Sequence, residues 1–192
     1  MLNFEIEDTT LKEVKIIIPK IFEDYRGYFM EVFNADSFQQ LGIPSNFVQM
    51  NQSQSRAYTV RGLHFQWNPP MGKLMRVIKG EAYLVAVDIR KNSPTLGQWY
   101  GGYFSAFNKK QLWAPGEFAR GFCSLEDSTE VQYLITGTYN PECESEILWN
   151  DEDIGITWPT NFSPILSKKD EDAQTFQQWL DSENSNNILY EK

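Results

Sequence analysis

The stretch VRGLHFQ, residues 60–66, holds the only histidine among 192 residues, His64. It lies between two large apolar side chains, Leu63 and Phe65, three residues after Arg61. An imidazole changes charge near neutral pH, which suits it to proton transfer. A metal centre in a β-barrel collects two or three imidazoles around one ion, and a single histidine does not supply them. Carboxylates alone hold Mg²⁺ or Ca²⁺, but no loop here sets Asp or Glu at ligand spacing. No metal site is therefore expected. General acid–base work is left, beside the plainer reading of a hydrogen-bonded structural histidine. A base of this kind needs a carboxylate to fix its tautomer, a cation near developing negative charge, and a second acid or base. With 26 acidic residues in the chain, spacing alone does not choose the carboxylate.

The elements around His64 read as β-structure. If residues 60–66 form a strand, Leu63 and Phe65 face away from His64, and Arg61 falls on the Leu63 face unless a local bend brings it round. KLMRVI and AYLVAVDIR read as two strands with Gly80 at the turn between them. In the second, Tyr83, Val85 and Val87 alternate with Leu84, Ala86 and Asp88, the period of a pleated strand. QWYGGYFSA, QLWAPGEFARGFCSL, TEVQYLITGTY and ESEILWN continue at short, even spacing. Such a series predicts a sandwich or a closed barrel, which removes exposed strand edges. Helix signals are few. NADSFQQLG, residues 34–42, predicts two turns ending at Gly42. KDEDAQTFQQWLDSE puts Ala173, Phe176, Trp179 and Leu180 on one stripe, a short amphipathic helix on the barrel, and NSNN after it reads as a fraying end. The fold expected is all-β: a barrel or jelly roll with short flanking helices, one domain over 1–192, its core about 12–160 and its helical tail about 168–184.

Composition narrows the partners. A formal charge of −9 argues against a nucleic-acid footprint, so an anionic ligand would need a local cluster of Arg and Lys. Two cysteines make no disulfide framework, no apolar run approaches a membrane span, and the N-terminus lacks the pattern of a signal peptide. A cytoplasmic setting is expected.

The segments FEDYRGYFMEVFN, FVQMNQSQS, TVRGLHFQ, VAVDIRKNSPT, EFARGF and WNDEDIGITWP, in this order, resemble the dTDP-4-dehydrorhamnose 3,5-epimerase family over about residues 12–175. The resemblance implies a cupin-like jelly-roll barrel, a homodimer, no cofactor, and dTDP-4-keto-6-deoxy-D-glucose as substrate, inverted at C3 and C5. It assigns His64 as the base and Asp170 as the carboxylate that orients it. Lys73 becomes the cation at the C4 oxygen and Tyr133 the acid on the opposite face. Arg26 and Arg61 match the diphosphate-binding arginines, and Gln49 and Asn51 the positions near the nucleoside. Tyr139 lines the family pocket, and Glu31, Glu144 and Lys168 or Lys169 match further binding positions.

One position departs. Where the family reads GFAHGF, this chain has EFARGF, so Arg120 stands in place of a second histidine that contacts substrate. An arginine is permanently charged and is neither acid nor base at neutral pH. It either adds a phosphate contact or changes how the sugar sits. The alternatives to double epimerisation are a mono-epimerase at C3 or C5, a ketoisomerase on a related 4-keto sugar nucleotide, and a non-catalytic sugar-nucleotide-binding module.

Overall fold

The computed structural model describes residues 2–159 and 163–190; the expected core limit at residue 160 and the ends of the expected domain lie outside the described residues. In chain order come β1 (Phe4–Asp8), β2 (Lys15–Pro19), β3 (Ile21–Asp24), β4 (Gly27–Met30) and helix α1 (Ala35–Gln40). β5 (Gln49–Ser55), β6 (Val60–Gln66), β7 (Lys73–Lys79) and β8 (Glu81–Asp88) follow. β9 (Trp99–Ser105), β10 (Gln111–Ala114), β11 (Phe118–Ser124), β12 (Thr129–Ile135) and β13 (Glu144–Glu146) complete the strands. Two short helices, α2 (Lys168–Glu171) and α3 (Phe176–Asp181), and a 3₁₀ turn over Glu183–Asn187 come last.

The strands form two antiparallel sheets, ordered β1-β2-β10-β7-β12-β5 and β13-β6-β11-β8-β9, and a separate β3–β4 hairpin. This is the cupin-like jelly-roll barrel with short flanking helices. The two strands flanking Gly80 do not pair with each other: β7 joins the six-stranded sheet and β8 the five-stranded one. Gly80 makes the crossing at φ +72°, where a Cβ would lie 2.6 Å from Thr129 Oγ1.

Three apolar layers hold the sheets. Between them, Leu84, Ala86, Phe118 and Phe122 meet Met75, Val77, Leu112 and Val131. Behind the five-stranded sheet, Leu63, Phe65, Val85 and Val87 pack on Trp158, Phe176, Trp179 and Ile188. Behind the six-stranded sheet, Ile17, Leu74 and Trp113 take Phe38 of α1. The alternation read along β8 is thus buried on both faces, as a central covered strand requires.

Helix α1 starts where Asn34 Oδ1 accepts from the Ser37 N–H at 3.0 Å, and Gly42 follows its end at φ +73°. The tail differs from the expected single helix. Ser167 caps α2, and Thr175 opens α3 with a reciprocal capping box: its Oγ1 accepts from Gln178 N–H at 3.1 Å, and Gln178 Oε1 accepts from Thr175 N–H at 2.8 Å. Ala173 therefore falls between the helices. The stretch expected to fray, NSNN, is fixed instead: Ser185 is buried, and just beyond it Ile188 is buried and Tyr190 N–H donates to Lys91 O.

Candidate active site

His64 sits on β6, opposite Arg120 of β11 on one side and Glu146 of β13 on the other. Leu63 and Phe65 join the layer behind the sheet, so His64 faces into the barrel as the strand period predicts. Arg61 does not follow that period. The pairing His64–Arg120 is succeeded by Arg61–Phe122, three residues on β6 against two on β11. The bulge turns Arg61 to the interior face, opposite Phe122 of the inner layer. There its Nε donates to Ser55 Oγ at 3.1 Å and its Nη2 to Gln54 O at 3.2 Å. Gly62 makes this possible at φ +116°; a Cβ would come within 2.6 Å of Arg120 O and 2.7 Å of Gly121 Cα.

Asp170 arrives from α2. Its Oδ1 lies 2.6 Å from His64 Nε2 and accepts from Gly62 N–H at 3.2 Å, while Oδ2 accepts from Ser167 Oγ at 2.7 Å. Burial pushes this carboxyl up, but the hydrogen bonds from His64, Ser167 and Gly62 outweigh burial and hold it below the usual carboxylate range. An ionised Asp170 accepts a hydrogen bond from His64 Nε2–H, the tautomer that leaves a lone pair on Nδ1. The imidazole side chain remains 27 % exposed against 4 % for Asp170, so the imidazole is reachable and its partner is not.

Across the interior, the six-stranded sheet supplies the complementary groups. Tyr133 is paired with Met75 on β7 and Asn51 on β5. Burial chiefly raises its phenol, with the Arg61 charge opposing and Glu144 adding, so it holds its proton at neutral pH. Lys73 opens β7 with its ammonium 5.4 Å from the Tyr133 ring centroid. Burial first, then the charge of Arg120, carry Lys73 down to about 7; Lys169 works the same way and Glu144 opposes. Imidazole and phenol therefore stand on opposite sheets, with a titrating cation beside the phenol.

At the rim, Tyr139 OH donates to Glu144 Oε2 at 3.1 Å, and Lys169 Nζ meets Glu144 at 2.7 Å and Glu146 at 3.2 Å. For Glu144 burial is the largest influence and raises the carboxyl, but the contacts with Lys169 and Tyr139 hold it low. Gln49 and Asn51 extend one face of β5, joined by a 2.7 Å amide hydrogen bond. Arg120 is buried, with Nη1 donating to Pro115 O at 2.7 Å.

Three expected residues stand apart from this cluster. Arg26 is in the β3–β4 turn, bidentate to Asp24. Glu31 accepts from Asn3 and Asn34. Lys168 pairs with Asp172 at 2.8 Å, so of the two adjacent lysines it is Lys169 that reaches the site, at Glu144 and Glu146. Sequence reasoning missed Glu146, although ESE in a strand places it on the Glu144 face. It also missed Gln66, whose side chain donates to Pro69 O and Thr138 O and accepts from Asn140 N–H, fixing the loop that carries Tyr139.

An imidazole–carboxylate pair faces a phenol and an ammonium across the interior, and the chain as a whole is similar to known proteins. The family profile described as dTDP-4-dehydrorhamnose 3,5-epimerase matches residues 8–178. The chain belongs to the dTDP-4-dehydrorhamnose 3,5-epimerase family. The Salmonella typhimurium dTDP-4-dehydrorhamnose 3,5-epimerase is 49 % identical over 174 residues, 90 % of this chain and 95 % of that protein. The Neisseria gonorrhoeae relative of the same name is 48 % identical over 91 % of this chain, which spans about half of its length (53 %). A crystal structure of the Legionella pneumophila dTDP-6-deoxy-D-glucose-3,5-epimerase, in complex with dTDP-4-keto-L-rhamnose, superposes with a TM-score of 0.92 at 40 % identity, covering 98 % of this chain and 99 % of the other. For this member of the epimerase family, none of the described helices is long and apolar enough to cross a membrane.

Proposed function

We propose that this chain epimerises dTDP-4-keto-6-deoxy-D-glucose at C3 and C5, giving dTDP-4-keto-L-rhamnose. The observation that carries the reading is His64 of one sheet, held at 2.6 Å by Asp170 of α2, facing Tyr133 and Lys73 on the other sheet. Hydrogens next to a ketone are acidic because the electron pair left behind spreads onto the carbonyl oxygen, so the substrate is its own electron sink and no cofactor is needed. His64 Nδ1 removes the proton. Lys73 sits where the oxygen gains charge, a device whose removal costs about 10²–10³ in rate. Tyr133 returns a proton from the opposite face, which inverts the centre. Arg61, with Lys169 at the rim, supplies positive charge for a diphosphate that the acidic protein otherwise repels. Gln49 and Asn51 offer paired donors and acceptors to a pyrimidine edge. Arg26, on a hairpin that exposes Phe22, Tyr25 and Phe29, serves substrate in a homodimer. Work in a reducing cytoplasm fits the two free cysteines, Cys123 and Cys143.

The test is deuterium uptake from D₂O into the 4-keto sugar, read by NMR at C3 and C5. Exchange at both carbons, lost in His64→Asn, is the expected result. Exchange at one carbon makes the protein a mono-epimerase. No exchange, with binding retained, leaves a sugar-nucleotide-binding module and overturns the reading.

A further inference from the structure

Gln66 is 0 % exposed and lies on β6, the strand that carries His64. A carboxamide is stable in such a place only when its polar atoms are matched. Its Nε2 donates to Pro69 O at 2.8 Å and to Thr138 O at 3.0 Å, and its Oε1 accepts from Asn140 N–H at 2.8 Å. The Thr138 carbonyl belongs to the peptide plane before the Tyr139 Cα, and the Asn140 amide to the plane after it. A peptide plane turns as one unit, so this single side chain sets both planes that direct the Cα–Cβ bond of Tyr139. No other hydrogen bond among the described residues reaches either group.

Tyr139 is itself 51 % exposed, so its own burial does little to fix it. Its direction secures the contact of its hydroxyl with Glu144 Oε2 at 3.1 Å. Glu144 pairs with Gln66 across β13 and β6, and two residues along the same ladder Glu146 pairs with His64. Lys169 bridges the two glutamates, and the next residue of α2 is Asp170. The phenol is thereby anchored beside the His64–Asp170 pair. Holding the two loops together is a different task, and other groups perform it. Asn140 Nδ2 donates to Asn68 O at 3.0 Å, and Trp67 N–H to Cys143 O at 3.0 Å. Gly72 N–H donates to Thr136 Oγ1 at 3.0 Å, and Thr136 N–H to Gly72 O at 3.1 Å. Gln66 alone among the described residues grips the chain on both sides of Tyr139.

We propose that Gln66 is a positioning residue that acts through Tyr139, holding its phenol on Glu144 as a fixed wall of the sugar pocket. The proposal rests on the epimerase reading, in which the sugar lies beside His64. A wall set before the substrate arrives costs no ordering when it binds. Without Gln66 both peptide planes are free to turn, the phenol leaves Glu144, and the sugar loses one side of its seat. A misplacement of about 1 Å at such a contact lowers a rate by about 10².

Two measurements test this. In ¹³C-tyrosine-labelled full-length protein without substrate, the ring resonances of Tyr139 and Tyr133 are assigned by their loss in Tyr139→Phe and Tyr133→Phe. Gln66→Met, of similar length but without the amide, should move and narrow the Tyr139 resonances and leave those of Tyr133 in place. In steady-state kinetics with dTDP-4-keto-6-deoxy-D-glucose, Gln66→Met should lower kcat/KM about tenfold or more, chiefly through KM. The same change made in Tyr139→Ala should alter kcat/KM by less than about threefold, because the side chain it acts through is gone. Circular dichroism reports whether Gln66→Met folds. Gln66→Glu, which keeps the acceptor for Asn140 N–H and loses both donors, replaces it if it does not. Tyr139 resonances unmoved by the substitution overturn the proposal. An equal loss of kcat/KM in the Tyr139→Ala background does so too, by making Gln66 a staple of the loops and nothing more. A loss carried by kcat with KM unchanged, or a Tyr139→Ala variant with unaltered kcat/KM, overturns the role of a pocket wall. The resonances need no substrate, so absence of deuterium uptake by the unaltered protein is a separate failure, that of the epimerase reading.

Discussion

Lys73 carries a cost that belongs to the site and not to the fold. Burial and neighbouring cations bring its pKa from 10.5 to about 7. Between those values the unfolded chain holds a proton that the folded chain has released, so stability rises with pH across that window. The penalty is complete below about 7 and gone above about 10.5. Lys73→Met removes the titrating group and places an apolar chain where a charge is disfavoured. At pH 7 it should raise the unfolding free energy by on the order of 2 kcal/mol, measured by urea denaturation. The gain should vanish as the comparison is repeated toward pH 10.5, while epimerisation falls by about 10²–10³. A variant less stable at pH 7 would mean that the Lys73 ammonium contributes favourably to folding, and would sink this account. Asp170 has the opposite sign. Its carboxyl is held low by His64, Ser167 and Gly62, so its contribution to stability is present at neutral pH and lost as pH falls through its folded pKa.

Strand β6 organises the site because it breaks its own period. One extra residue against β11 puts His64 and Arg61 on the same face, and only a glycine fits at position 62. Gly62→Ala would set a Cβ against the Arg120 carbonyl oxygen and Gly121 Cα at a left-handed φ. It should cost about 2 kcal/mol or more in urea unfolding, and any folded fraction should lose activity as His64 and Arg61 shift. An alanine variant with unchanged stability and rate would show that the bulge does not depend on Gly62. This element also marks where the sequence stops being readable. The facing of His64 follows from Leu63 and Phe65, because a period of two is a property of every strand. The turn of Arg61 does not, since a bulge is decided by the partner strand β11, far along the chain. The His64–Asp170 contact spans 106 positions, and spacing chooses no carboxylate at that range; only the family resemblance named it. The split tail was legible: T-x-x-Q at Thr175 and Gln178 is a capping box, and the apolar stripe through Ala173 obscured it. The isolation of Arg26, Glu31 and Lys168 from the cluster depends on local pairings with Asp24, Asn34 and Asp172 that no period encodes.

At the scale of the whole molecule, the C-terminal segment clamps β6 from both sides. α2 delivers Asp170 to the front of β6, and α3 covers its back. Trp179 is 1 % exposed, with its ring centroid 4.5 Å from Phe65 and 5.7 Å from Trp67, the residues that flank His64 and follow Gln66. The segment is pinned at its start by Ser167, in its middle by Phe176 N–H donating to Asp151 Oδ2 at 2.8 Å, and at its end by Tyr190 on Lys91. Trp179 thereby ties the tail to the strand that carries His64, from the face opposite that imidazole. Trp179→Ala should cost about 3–5 kcal/mol, the range for emptying a large aromatic site. Amide exchange should quicken in α2 before the barrel strands, and kcat should drop because Asp170 loses its hold on His64. Trp179→Phe is the discriminating variant. It keeps ring packing on Phe65 and removes an indole N–H that is buried without a partner among the described residues, so it should retain stability within about 1.5 kcal/mol and keep most activity. If Trp179→Ala lowers stability but leaves kcat and the exchange of α2 untouched, the tail only seals the barrel. If both variants fall together in rate, the indole itself holds the strand.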